Sequence, residues 1–307
     1  MSVVATIAPI FLVILAGYAV KRTGVVSETF YGEANRFAYY VSLPLLIFTG
    51  TLKSGLTSLS GISVFSVVVP TLVMFFIGIG IGLGLGLRRG RLGTFIQTTY
   101  HGNVSYVGLA VVFYLLGEKG LDQASLIIGF LIITTNGLST IILSLTSGMS
   151  RSRNPFAYLL PLAKNPVIIS SLTGLFVLYL GLPVPDVLLR SMRILANIAL
   201  PLALITIGAS LTLGSIKASL KFSACSATIK LLLLPCLGIL FFKALHLPLE
   251  GNTASILLLA TPVATLSFIM AEAMGGDGEL ASSAVTLTTL MSGFTYIFWA
   301  LVLGLAR

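Results

Sequence analysis

Residues 100–108 read YHGNVSYVG, a polar, glycine-containing stretch inside a long apolar run. Counted from about residue 93, Asn103 is ten residues in, or about 15 Å of helix. That depth is the middle of a hydrocarbon core ~30 Å thick. A second stretch, TPVAT at 261–265, takes the same relative place in an apolar run that begins near residue 252. At an offset of 158 residues, Asn103 falls on Thr261. Pro262 removes a backbone donor and clashes with the preceding turn, and Gly102 weakens its helix more gently. Opened backbone at membrane depth is tolerated only where protein buries it or where it lines a cavity. The two stretches therefore predict two broken helices that cross inside the membrane. Half-helix N-termini carry partial positive charge and free N–H groups, so such a crossing attracts an anion. Simple kinks packed against neighbours are the alternative, and two breaks at equal depth in equivalent places favour the site.

The equivalence extends along the chain. Gly17, Gly24 and Pro44 match Gly174, Gly181 and Pro201, each 157 residues later. Gly117, Gly120 and Ser125 match Gly275, Gly278 and Ser283, 158 residues later. Two copies of one unit of about 150 residues are implied, a period far longer than that of a solenoid. In a membrane protein, a duplicated half is the pattern of secondary transporters, whose substrate site lies where the repeats meet.

Of the 307 residues, 56% are hydrophobic and only 9% charged, against roughly 25% charged in soluble domains. Stretches of about 20 apolar residues recur near 3–20, 34–52, 61–87, 93–116, 123–147, 165–182, 190–213, 218–243, 252–273 and 280–306. The expected fold is thus an all-α polytopic membrane protein. It has ten spans in two five-helix repeats, 1–147 and 165–307, joined by a basic linker at 148–164 with Pro155 and Pro161. An odd number of spans makes the second repeat inverted, with helices 4 and 9 broken. Lys21 and Arg22 follow the first apolar stretch and nothing positive precedes it, so it reads as a span rather than a secretory signal.

Eleven Lys and Arg fall on one side of this topology and six on the other, with Lys230 inside a span. The positive-inside rule then places both termini outside a plasma (inner) membrane. Basic loops that hold topology and touch anionic lipid explain the net charge of +9 without nucleic acid. Cys225 and Cys236, about 16 Å apart along one helix, read as small buried apolar residues.

The candidate site comprises Asn103, His101 and Ser105 on span 4, Thr261, Pro262 and Val263 on span 9, and Lys230 and Asn136 as further polar lining. Ser42, Asn197 and Ser139 are secondary candidates. Lys230 lies nine residues beyond Lys221, too deep to snorkel, where a charge costs about 2.5–3.5 kcal/mol. It reads either as a counter-charge or proton carrier, or as a cap on carbonyls freed by a nearby proline. His101 either couples transport to protons or is a neutral side chain satisfied by backbone. Several patterns carry no chemistry. GIGIGLGLG at 78–86 lacks the strand and Lys-Ser/Thr of a phosphate loop, and its glycines read as helix packing. The Asn103-Val104-Ser105 glycosylation match lies inside a span, and Asp277 sits in a loop without a second buried Asp. Two distant His, at 101 and 246, make no metal cluster, and no Ser-His-Asp set is identifiable, so an enzyme is not expected.

The stretch FLVILAGYAVKRTGVVSETFYGEANRFAYYVSLPLLIF (11–48) resembles the opening helices of the auxin efflux carrier family, which includes bacterial malate and malonate permeases. HGNVSYVGLAVVFYLLGEKGLDQAS, ITIGASL, IKLLLLP and ATPVATLSFIMAEAMGGDGELASSAVTLTTLMSGF are similar to that family's later segments, in the same order. The resemblance implies a fold like that of sodium/proton antiporters. A scaffold would come from helices 1, 2, 6 and 7, and a mobile transport domain from helices 3–5 and 8–10. It also implies that Asn103 contacts substrate, and it makes a homodimer an expected assembly. Ala110 stands where many relatives have proline, and the long cytoplasmic loop of plant members is missing.

The function expected is secondary transport of a small organic anion such as a carboxylate, without a cofactor and with proton or sodium coupling. Alternatives are a sodium-coupled bile-acid-type symporter and a sensor that binds without transporting.

Overall fold

The structure is a computed structural model describing residues 3–55, 61–147, 163–249 and 251–305. Its elements follow from apolar helix formers punctuated by glycine and proline. Helix α1 is Val3–Thr23, and α2, Glu28–Phe37, starts on the Ser27 cap and continues through a π-helical turn, Ala38–Ser42, into α3, Leu43–Ser54. Helices α4 (Gly61–Gly84), α5 (Arg89–Tyr100) and α6 (Leu109–Thr146) follow, with a π-helical turn at Val104–Gly108 opening α6. Helix α6 is two helices meeting at Gly117, whose φ of 68° only glycine takes readily. Then come α7 (Pro166–Tyr179), α8 (Asp186–Ala196) and α9 (Ala199–Ser210). A 3₁₀ segment at Leu213–Ser219 leads into α10 (Leu220–Thr228), a π-helical turn at Ile229–Leu233 and α11 (Leu234–Ala244). The last helices are α12 (Thr253–Leu259), α13 (Thr265–Ala273) and α14 (Gly278–Val302).

No strand occurs among the described residues, only one isolated bridge between Gly102 and Val263. Among the described residues, six stretches are long and apolar enough to cross a membrane: Val3–Thr23, Gly61–Gly84, Val104–Thr146, Asp186–Ser210, Leu220–Ala244 and Gly278–Val302. The expected spans at 34–52, 165–182 and 252–273 are shorter or interrupted helices. Of the expected linker at 148–164, residues 148–162 lie outside the described residues.

Large apolar side chains such as Leu12, Phe76, Phe176 and Val187 are exposed on the outer helices, a surface suited to lipid. The interior gathers around α5, α6 and α12, where Phe95, Tyr100, Val107, Leu257 and Leu258 are buried.

Glycine sets the closest approaches. A Cβ on Gly17 would lie 2.2 Å from the Ile205 carbonyl oxygen, and one on Gly208 would lie 1.8 Å from that of Ile14, so α1 and α9 touch backbone to backbone. Gly174 of α7 sits over Thr51 and the Phe48 carbonyl of α3. Phe48 and Ile205 are themselves 157 apart, so the two contacts repeat the sequence offset. Left-handed φ values also recur in matched pairs, at Gly24 and Gly181 and at Gly117 and Gly275. The 78–86 run divides by face. Gly78 and Gly82 pack against Thr99, Leu92 and Phe95, whereas Gly80 and Gly84 meet nothing and Gly86 makes a turn at φ 73°. The packing expected of all five glycines therefore holds for two.

Candidate substrate site at the helix crossing

Helix α5 ends where His101 turns extended, at φ −76° and ψ 94°, and Asn103 follows at φ −79° and ψ 63°. Across from it, α12 ends at Leu259, because Pro262 has no N–H to offer the Leu258 carbonyl. The Thr261 hydroxyl takes that role, donating to the Leu258 oxygen at 2.9 Å. The Val263 N–H turns instead to the Thr288 hydroxyl on α14, 3.0 Å away. That leaves the Leu259 carbonyl without its helical partner, and the Lys230 ammonium donates to it at 2.7 Å.

The two open segments then pair with each other. Asn103 N–H donates to the Pro262 carbonyl at 2.7 Å, and Ala264 N–H to the His101 carbonyl at 2.9 Å, with Gly102 opposite Val263. Backbone that would be costly unpaired in a membrane is thereby satisfied. Gly102 is required for this approach. A Cβ there would stand 2.0 Å from the Thr261 hydroxyl oxygen and 3.2 Å from the Lys230 Nζ.

Some groups at the crossing remain open. The Asn103 side chain is buried and makes no hydrogen bond among the described residues. The N–H groups of Ser105 and Tyr106, in the first turn beyond the break, have no acceptor among the described residues. The same holds for Thr265 and Leu266 at the start of α13. The Ser267 hydroxyl and the Gln97 Oε1 are buried and unpartnered, and the Gln97 amide reaches Met270 of α13. Two half-helix N-termini with open donors therefore begin at the crossing, where partial positive charge favours an anion.

Behind Asn103, His101 belongs to a closed polar cluster. Its Nδ1 lies 3.3 Å from the Gln97 amide nitrogen and 3.2 Å from the Ser139 hydroxyl, which also meets the Tyr100 hydroxyl at 3.1 Å. An amide nitrogen can only donate, so Nδ1 accepts and a neutral ring carries its proton on Nε2. Asn136 lies against the same ring. Lys230 is 1% exposed, and no carboxylate pairs with it among the described residues. Its charge sits at the C-terminal end of α12, where the helix dipole favours a cation.

The structure thus brings Asn103, His101, Thr261, Pro262, Val263 and Lys230 together, with Ser105 in the adjoining turn and Asn136 in the layer behind. Of the two readings of Lys230, its geometry is that of a cap. Thr261 and Val263 spend their polar groups on the break itself. Ser42 is buried with its hydroxyl unpartnered, and Asn197 is exposed. Sequence reading missed Thr288 and the Tyr106 hydroxyl, which donates to Asn35 on α2 at 2.7 Å. Gln97 was also missed, although it stands one helical turn before His101 and so shares its face.

The family model for membrane transport proteins matches residues 2–155 and again 150–300. A protein of Rhizobium meliloti named "Putative malonate transporter" is 27% identical, over 92% of this chain and 90% of its own length. An uncharacterized transporter of Methanocaldococcus jannaschii is 23% identical over 96% of both chains. One of Methanothermobacter thermautotrophicus is 24% identical over 97% of both. With apolar helices throughout and a family match across nearly all its length, the chain is a multi-pass membrane protein that belongs to the membrane transport protein family, that of the auxin efflux carriers.

Proposed function

We propose that the protein is a secondary transporter of a small carboxylate, held at the crossing by the open N–H groups of the two half-helices and by the Asn103 side chain. The observation that carries this is the Asn103 side chain, which belongs to a residue only 8% exposed and makes no hydrogen bond among the described residues, beside the N–H groups of Ser105 and Tyr106, which have no acceptor there. A carboxylate accepts from all three, and the helix N-terminus contributes favourable charge. The relative named for malonate favours a short dicarboxylate as the first substrate to try.

In this account ten spans form two inverted five-helix repeats about the crossing, at 1–147 and 165–307. The glycine contacts of Gly17 with Ile205 and of Gly174 with Phe48 support that arrangement. Helices 1, 2, 6 and 7 form a scaffold, against which spans 3–5 and 8–10 move to expose the site alternately to each face of a plasma membrane. Both termini lie outside. Thermal unfolding of the purified protein with a panel of carboxylates tests the site, since a ligand of the folded state raises stability by mass action. Short dicarboxylates should raise Tm in the native protein and not in Asn103→Ala. An equal shift in both removes Asn103 from the site.

A further inference from the structure

On the face where α3 ends and α6 turns at Gly117, three charges meet. Lys53, at the end of α3, donates to the Glu118 carboxylate and lies 4.0 Å from that of Asp122. Arg193 of α8 stands within electrostatic reach of Glu118. Beneath the charges α3 and α6 are closely packed. A Cβ on Gly50 would lie 2.5 Å from the Ser125 hydroxyl oxygen, and the Thr51 hydroxyl donates to the Ser125 carbonyl at 3.4 Å. Ser125 itself is fully buried.

The matching place in the second half of the chain is built differently. At offsets of 157 and 158, Lys53 falls on Ser210, Glu118 on Gly276 and Asp122 on Leu280, none of them charged. Ser283, the counterpart of Ser125, bonds to Ser223 at 2.8 Å and to the Ile216 carbonyl rather than to α9. Just beyond α9 the Thr212 hydroxyl contacts Ser282 and Thr286, and the 3₁₀ segment Leu213–Ser219 packs along α14. Both faces are thus closed by packing, one under an ion-pair cluster and the other with hydroxyl bridges in its place.

We propose that Lys53, Glu118 and Asp122 form a latch that biases the protein toward the conformation closed on this face. The proposal rests on the reading above in which α3 and α6 belong to bodies that move past one another. Opening this face separates Lys53 from both carboxylates, whereas the Arg91–Asp277 pair on the other face lies within the moving body, so that among the described residues opening it breaks no ion pair. An exposed pair is weak, so the latch tilts the balance between states without locking it.

The test is labelling of a single cysteine, Ser125→Cys, by a maleimide in nanodiscs, with Cys225 and Cys236 replaced by alanine. No substrate is needed. Labelling should be slow with the latch intact, rise about two- to fivefold in Lys53→Met and in Glu118→Gln/Asp122→Asn, and stay slow in Lys53→Arg. Equal rates in all variants, or a rise in Lys53→Arg equal to that in Lys53→Met, overturn the latch. Either result leaves the substrate site to be judged by the Asn103→Ala binding measurement, so the two ideas fail separately.

Discussion

Lys230 shows how one buried charge is accommodated without a counter-ion among the described residues. Its stem crosses the interior and its ammonium meets the Leu259 carbonyl, an acceptor that exists only because the Val263 N–H has turned to Thr288. Lys230→Met should therefore leave that carbonyl unpaired and lower stability by roughly 1–3 kcal/mol. Thermal unfolding checks this, with carboxylate affinity measured alongside. Lost affinity with unchanged Tm would instead make Lys230 a counter-charge for substrate. Gly102 is held to its identity by the Thr261 hydroxyl and the Lys230 Nζ. Gly102→Ala should cost roughly 1–3 kcal/mol by overpacking and should abolish carboxylate binding, since the paired breaks cannot then approach. Wild-type Tm and binding in that variant would show that the crossing is looser than described.

At the scale of elements, both breaks are legible in the sequence. Gly102-Asn103 and Pro262 are helix-weakening residues in the middle of runs that are otherwise apolar, and local rules suffice to find them. What closes each break is not legible, because Thr288, Lys230 and the facing carbonyls are 25 or more residues away from their partners. Two of the three π-helical turns, at 38–42 and 229–233, end two residues before a proline, Pro44 and Pro235, and the third, at 104–108, follows the break itself. One of them has a tertiary reason. Pro235 cannot donate to the Leu231 carbonyl, and the Trp299 indole N–H on α14 does so at 2.8 Å. The helix contacts that glycine sets are graded. Gly17 and Gly208 face carbonyl oxygens that cannot move away, whereas Gly174 meets the Thr51 side chain at 3.0 Å. Gly17→Ala and Gly208→Ala should each lower Tm clearly, and Gly174→Ala should lower it less. The reverse order, read by thermal unfolding, would contradict the α1–α9 contact.

For the whole molecule, the proposed ten-span topology sets eleven basic residues against six, and under the positive-inside rule that topology has both termini outside. A cysteine added at the N-terminus should react with an impermeant maleimide from outside intact cells, and labelling from the cytoplasmic side alone would reverse the orientation. The halves are also unequal in their charges, since Lys230 and the Lys53 cluster have no charged counterpart at the repeat offset. Such asymmetry is what a carrier needs if its two end states are to differ in energy. The central claim is that an anion occupies the crossing and is moved from it. Uptake of the carboxylate that gives the largest thermal shift, into proteoliposomes holding the native protein or Asn103→Ala, tests it most directly. The native protein should accumulate the substrate, and Asn103→Ala should fold normally and transport at least tenfold more slowly at every substrate concentration. Normal transport by Asn103→Ala across that range would contradict the account.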